Sequence, residues 1–247
     1  MYNSRVIPCL LLQNHGLVKT KQFGKERYVG DPINAVRIFN ECEADELIFL
    51  DIDRNIHNVG PDFEYLKKIA SQCFMPVCYG GGCNSIEHFE RLFHIGFEKI
   101  SVNTAAYFNP DLVTKAVEIF GSQSIVGSMD VLSGKRNSRV MTKNGRINTH
   151  MTPLEYAKYL EKLGVGEILI NDINRDGMRC GYNYSMISDI SRAVKVPVIA
   201  CGGANTLSDC KQVTEAGASA AAVGSMFVFW GNNQAVLINY KNIENEV

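Results

Sequence analysis

Residues 45–104 lie without a gap on residues 166–225 when the chain is slid along itself by 121 positions. Thirteen of those sixty positions are identical, including Glu46/Glu167, Asp51/Asp172, Arg54/Arg175, Gly60/Gly181, Pro76/Pro197, Gly81/Gly202, Gly82/Gly203, Asn84/Asn205 and Gly96/Gly217. A period near half of a 247-residue chain excludes a solenoid, whose units recur every ~20–50 residues. One architecture made twice is required instead. Any site on it is then expected twice, as two similar binding points facing one ligand.

Short apolar runs alternate with amphipathic stretches. Strands are expected at 5–12, 46–52, 75–79, 99–103, 124–131, 167–172, 196–201 and 220–225. They are nearly continuous in apolar character, as suits strands buried on both faces of a parallel sheet. Between them, apolar residues recur at three and four over 33–44, 63–73, 86–96, 110–121, 154–164, 184–194, 207–217 and 234–243, which predicts eight helices. Gly96, Gly121, Gly164 and Gly217 close four of these, where a left-handed cap suits glycine. Eight strands and eight helices in two equivalent halves predict an α/β fold of the (β/α)8 barrel type, one domain over 1–247 with half-barrels of about 1–122 and 123–247. A doubly wound open sheet is the alternative. In a barrel, chemistry sits where the C-terminal strand ends meet the following loops.

Composition narrows the partners. Twenty-five basic and 26 acidic residues leave a net charge of −1 without long blocks of one sign, which argues against nucleic acid or a membrane surface. No run approaches the roughly 20 apolar residues that span a bilayer, and no basic-plus-apolar leader is present, so a soluble cytoplasmic protein is expected. The eight cysteines contain no C-x-x-C pair and several sit in apolar runs, so they read as reduced packing residues. No metal site and no cofactor are expected, and the five histidines have no metal-like or triad-like spacing; His15, beside Lys19, is a candidate ligand contact.

Two glycine-rich strand ends are the clearest chemical signal. Gly80-Gly81-Gly82 is followed one strand later by Asn103-Thr104, and Gly202-Gly203 by Gly224-Ser225. Glycine lets amide N–H groups approach an anion, and a hydroxyl at a helix start completes the cradle. Two such cradles across one barrel mouth predict a long ligand with a phosphate at each end.

These residues, with RVIPCL at 5–10, ELIFLDI at 46–52, GGG at 80–82, SVNTAA at 101–106, FGSQ at 120–123, GEILI at 166–170, RDG at 175–177 and GYN at 181–183, closely resemble the cyclase subunit of imidazole glycerol phosphate synthase. The resemblance runs from residue 1 to about 230. It implies a doubly phosphorylated substrate and a heterodimer with a glutaminase subunit. Ammonia from that subunit would enter at the N-terminal end of the barrel, pass a charged gate and cross to the active site. There two aspartates, at the ends of strands one and five, act as general acid and base. Carried over, the phosphate contacts are Gly82, Asn103 and Thr104 on one side, and Asp176, Gly177, Gly203, Gly224 and Ser225 on the other. The gate is Arg5, Glu46, Lys99 and Glu167; Lys19, in a loop that is mobile in the family, and Asp51 also match. The strand-five aspartate is Asp130.

The strand-one aspartate is absent: the position is Leu11. Leucine neither gives nor takes a proton, and a positioned acid or base contributes about 10²–10⁴ in rate. Other departures fall on the same face: Cys78 and Asn171 where the family usually has threonine, Asn174 for aspartate and Cys201 for serine. Asp53, two residues past Asp51, is a candidate substitute carboxylate. With the gate intact, the leading expectation is a subunit that conducts ammonia while its cyclase centre is impaired. It would deliver ammonia to another acceptor through a third protein, an amidotransferase such as one modifying a surface-glycan sugar. The alternatives are a working cyclase of histidine biosynthesis, making imidazole glycerol phosphate and its carboxamide ribotide co-product, and a non-catalytic scaffold that activates the glutaminase.

Overall fold

The computed structural model describes residues 5–57, 59–134, 137–231 and 233–240. Eight parallel strands close into a barrel: β1 (Arg5–Gln13), β2 (Leu47–Asp51), β3 (Val77–Gly80), β4 (Lys99–Val102), β5 (Ile125–Leu132), β6 (Glu167–Asp172), β7 (Val198–Cys201) and β8 (Ala220–Val223). Each pairs with the next, and β8 returns to β1 with Arg5 opposite Ala220 and Pro8 opposite Val223. The halves meet where β4 pairs with β5. Every strand falls within about two residues of its expected range, because an apolar run bounded by Gly, Pro or a charged residue has few ways to slip.

Seven of the expected helices form: α1 (Pro32–Glu41), α2 (Phe63–Ala70), α3 (Ile86–Ile95), α4 (Pro110–Phe120), α5 (Pro153–Lys162), α6 (Tyr184–Ala193) and α7 (Leu207–Glu215). Their starts are set locally. Ser85 accepts the amide of His88 at the head of α3, and Thr152 with Glu155 and Thr206 with Asp209 make reciprocal capping boxes on α5 and α7. Gly96 ends α3 at φ +117°. The apolar stripes (Phe39 of α1, Phe89 and Leu92 of α3, Leu160 of α5, Ile187 and Ile190 of α6) pack on the outer face of the barrel and form the larger core. A second, smaller core fills the interior: Ile7, Cys9, Ile48, Cys78, Val126, Leu169, Ile199, Cys201, Ala220 and Ala222.

The eighth expected helix, over 234–243, is not there through residue 240, and 241–243 lie outside the described residues. Phe229–Trp230 instead pairs antiparallel with Ala235–Val236 across a turn at Gly231. The amides of Leu237 and Asn239 then bond to Val228 and Phe227, so this segment's donors are satisfied across a ribbon. Tyr240 packs in the outer core, its hydroxyl donating to the Val6 carbonyl at 3.0 Å and its ring set against Phe39 and Phe227.

Two antiparallel ribbons were not read from the sequence, and both rise over the C-terminal mouth. Gly16–Lys19 folds back on β1 and pairs with Arg27–Gly30. Arg139–Thr142 folds back on β5 and pairs with Ile147–Asn148. Asn14 and His15 turn the first with φ +47° and +61°; Lys143, Asn144 and Gly145 turn the second with φ +52°, +57° and +73°. The Asn144-Gly145 pair is a standard hairpin signal that could have found the second one. No helix of the described residues is long and apolar enough to cross a membrane.

Candidate active site at the barrel mouth

Two chambers adjoin under these ribbons. The larger, about 270 Å³, is walled by Gly82, Asn103, Thr104, Asp51 and Asp130; the smaller, about 20 Å³, by Gly177, Gly203, Gly224, Ser225 and Lys19. Leu11, Leu50, Asn171 and Asp176 belong to both walls. The two expected cradles thus lie at opposite ends of one cleft, with Leu11 at the join.

The repeat extends to the hydrogen bonds that shape each end. Asp51 accepts the Asp53 amide at 3.2 Å and pairs with Arg54 at 3.1 Å; Asp172 accepts the Asn174 amide at 3.0 Å and faces Arg175 at 3.7 Å. A β-carbon on Gly82 would stand 2.5 Å from the Val59 carbonyl, and one on Gly203 would stand 2.1 Å from that of Gly181. Both positions also have positive φ, +68° and +112°. Only glycine fits this approach of backbone to backbone.

The mates differ in polarity. Asp172 is buried and binds Asn183 at 3.0 Å and the Ser133 hydroxyl, so it organises loops behind the cleft. Asp51 stays in the cleft wall, and burial pushes its carboxyl up despite Arg54.

Several expected site residues are held in the cleft wall by hydrogen bonds of their own. The Asn103 side chain is engaged on both ends: Thr142 donates to its Oδ1 at 2.7 Å, and its Nδ2 donates to Asp130 at 3.0 Å. It orients the Asp130 carboxylate, leaving its main chain and Thr104 to face a ligand. The Asp176 amide donates to the Asp172 carbonyl at 2.9 Å, so only its side chain is offered to the cleft, held by Thr20 at 3.0 Å. Lys19 is buried in the first ribbon. Its Nζ donates to the Cys9 carbonyl at 2.7 Å and lies 2.5 Å from where a Gly224 β-carbon would be, over the smaller cradle.

Asp53, the candidate substitute carboxylate, lies outside the cleft wall: the strand ends at Asp51, and the Asp53 carboxylate accepts the Asn14 amide at 2.9 Å. Two residues past a strand's last ladder bond, the alternation that would have aimed it inward no longer holds. His15 likewise turns away, stacked on Tyr65 at 4.2 Å and paired with Asp62 at 2.9 Å. Arg146 joins the wall of the larger chamber and Arg179 that of the smaller; neither was singled out in the sequence, since each reaches the mouth only through loop geometry.

Asp130 is a strongly perturbed carboxyl in the cleft. Burial, with the negative Asp176 adding in the same direction, pushes it up to about 7, against the Asn103 hydrogen bond. An unfolded aspartate titrates near about 3.9. Between those values the folded protein holds a proton that the unfolded chain has released, so this contribution to stability is full at low pH and lost as pH rises through about 7. Asp130→Asn removes it. The variant should therefore gain in melting temperature relative to wild type between about pH 5 and about pH 8, as thermal melts at both would measure. A difference that does not change with pH would refute the assignment.

At the opposite end of the barrel the four gate candidates meet in a closed ring. Arg5 reaches Glu167 at 2.6 Å and Glu46 at 3.6 Å; Lys99 reaches Glu167 at 2.8 Å and Glu46 at 3.0 Å. Burial would raise Glu167, but hydrogen bonds from Lys99 and Arg5 outweigh it and hold the carboxyl low. Arg5 Nε is buried without a partner. Between ring and mouth lies the apolar interior core. Among the described residues no group of three or more His, Cys, Asp or Glu is placed to hold a metal, and all eight cysteines are free thiols.

Comparison with known proteins adds a family. A model described as "Histidine biosynthesis protein" matches residues 5–232. The chain is 49% identical over 245 residues to the putative imidazole glycerol phosphate synthase subunit hisF2 of Pseudomonas aeruginosa, covering 98% of each. It is 45% identical to the putative subunit hisF3 of Vibrio vulnificus, over 97% of this chain and 94% of that one. It is 35% identical to the imidazole glycerol phosphate synthase subunit HisF of Lactococcus lactis subsp. cremoris, over 100% of this chain and 96% of that one.

Proposed function

The chain belongs to the histidine biosynthesis protein family as a HisF-like subunit of the imidazole glycerol phosphate synthase type, and on that footing we propose that it conducts ammonia from a glutaminase subunit while its own cyclisation chemistry is impaired. The observation that carries this reading is the contrast between the two ends of one barrel. The ring at the entry face has all four charges matched. The join of the two chambers at the exit face has leucine where proton transfer is needed.

Four charges held between strands are costly unless every partner is supplied, so a complete ring is unlike the residue of a lost function. At the mouth, the cradles at Gly82/Thr104 and at Gly203/Gly224/Ser225 suit a ligand with a phosphate at each end, with Lys19 adding positive charge over the second. Asp130 is held by Asn103, and its raised pKa suits a group that exchanges protons near neutrality. Leu11 and Leu50 offer it no partner.

Ammonia reaching such a mouth would pass to another acceptor, such as a sugar bound by a third amidotransferase. Three assays on the protein with its glutaminase separate the readings. Under the proposal, glutamine hydrolysis is stimulated, ammonia reaches an added acceptor enzyme, and the doubly phosphorylated substrate is barely consumed with ammonium alone. Efficient consumption would instead make the chain a working cyclase of histidine biosynthesis. Stimulated hydrolysis with ammonia lost to solvent would make it a scaffold.

A further inference from the structure

Cys201 stands where the family usually has serine, and the registers of the barrel bring it beside Cys9. Ala200 of β7 pairs with Ala221 of β8, which sets Cys201 level with Ala222; Ala222 in turn pairs with Ile7 of β1. In a barrel of this type, residues of equal height are offset by about one position per strand. Two strands on from Cys201, the residue at its own height is therefore Cys9. The same steps around the remaining strands complete that interior layer with Gly80 and Ser128.

Both cysteines belong to the interior core, 2% and 8% exposed, and both wall the smaller chamber, with Ala222 between them. A methyl group on the intervening strand leaves the sulfurs room to approach. The Cys201 thiol donates to the Cys9 sulfur. That hydrogen bond, with the Lys19 ammonium behind it, holds the Cys9 thiol below its ordinary range against the effect of burial.

Two facing thiols can close a disulfide or hold a metal, and strand spacing decides between these. Neighbouring strands lie about 4.8 Å apart, so β1 and β7, with β8 between, are separated by roughly 9 Å at the backbone. A disulfide needs about 4.4–6.8 Å between α-carbons. Two metal–thiolate bonds of about 2.3 Å in line would span about 4.6 Å between sulfurs, which inward-pointing side chains on alternate strands can meet.

Coordination number then selects the ion. Zinc takes four ligands, and among the described residues no third His, Cys, Asp or Glu is placed to join these two. Copper(I) is soft, prefers sulfur and accepts two ligands in line. Binding releases one proton from each thiol to solvent and forms two S–Cu bonds from sulfur lone pairs, with no change of oxidation state. Two thiolates and one monovalent ion leave a single negative charge. Lys19, whose Nζ is 2.7 Å from the Cys9 carbonyl, is placed to balance it.

We propose that Cys9 and Cys201 form a two-coordinate site for copper(I) at the floor of the smaller chamber. The site goes beyond the conduit and is independent of it, because binding needs neither the glutaminase nor a phosphate ligand. It also gives the serine-to-cysteine departure on β7 a chemical consequence, which packing alone does not.

The test uses the full chain under anaerobic, reducing conditions. Copper(I) is offered as its bicinchoninate complex, and loss of that complex's colour reads the copper taken up by the protein. Wild type should withdraw one tightly held copper(I) per chain, and X-ray absorption at the copper edge should show two sulfur neighbours. Cys201→Ser, which restores the residue usual in the family, should weaken that copper at least about a hundredfold, since even second-shell changes cost about 10–100-fold in metal affinity. Cys180→Ser, which removes an exposed thiol, should leave it unchanged.

Wild-type affinity in Cys201→Ser would overturn the site, and so would three or four sulfur neighbours in the wild type. Zinc chloride offered to the same samples should bind no differently to wild type and Cys201→Ser; zinc held as tightly as copper, and lost with Cys201, would contradict the two-coordinate assignment. If Cys201→Ser does not fold, the sulfur count in the wild type decides.

Discussion

Leu11→Asp should raise ammonium-dependent cyclisation of the family's doubly phosphorylated substrate by about 10²–10⁴-fold, the usual worth of a positioned general acid or base. The position is suited to it. Leu11 pairs with Leu50 on β2 and with Val18 on the first ribbon, and its side chain faces the join where both chambers meet. Asp130 is already in the same wall, and Asn103 already orients it. The new carboxylate would be partly desolvated and close to two others, so its pKa should rise, which suits an acid that works near neutrality. Product formation with ammonium chloride, wild type against variant, measures the gain. A variant that folds and binds phosphate but gains nothing would show that Leu11 is not what limits the chemistry.

Lys99→Met should be the most destabilising single change at the entry face. Lys99 bridges both glutamates, and removing it leaves Arg5 alone against two buried carboxylates. Leaving a buried charge uncompensated costs about 3–5 kcal/mol. For a chain of this size that corresponds to a fall in melting temperature on the order of 10 °C. The loss should be largest at neutral pH and shrink on acidification, because Glu167 is held low by Lys99 and Arg5 and its pairing energy disappears as it protonates. Glu46→Gln combined with Lys99→Met should recover part of the stability, since it removes one of the stranded charges. A melting temperature unchanged by Lys99→Met would mean that the ring contributes nothing to the barrel, which its burial does not allow.

The barrel strands were legible because each is a short apolar run with a single way to be buried, and the half-chain repeat then fixed the architecture. The need for glycine at the ends of the third and seventh strands was legible too, since Gly82 and Gly203 occupy positions where a β-carbon would strike backbone. What the residues alone do not carry is which side chains meet across the cleft. Asp130 and Asp176 are 46 positions apart and are brought near by the pairing of β5 with β6, while Arg5 and Glu167 are 162 apart and meet only because the sheet closes. For the ring, the family resemblance substituted for that knowledge.

Periodicity misled at two places. Over 234–243 a helical spacing of apolar residues lost to a ribbon turned at Gly231. At Asp53, strand alternation was carried two residues beyond the strand.

The question that matters most is whether this barrel still closes an imidazole ring. Wild-type protein, saturated with the doubly phosphorylated substrate and supplied with ammonium salt, should form product at no more than about one-hundredth of the rate of a relative with aspartate in place of Leu11. A rate equal to that relative's would contradict the claim that leucine at the mouth has cost this chain its cyclase chemistry.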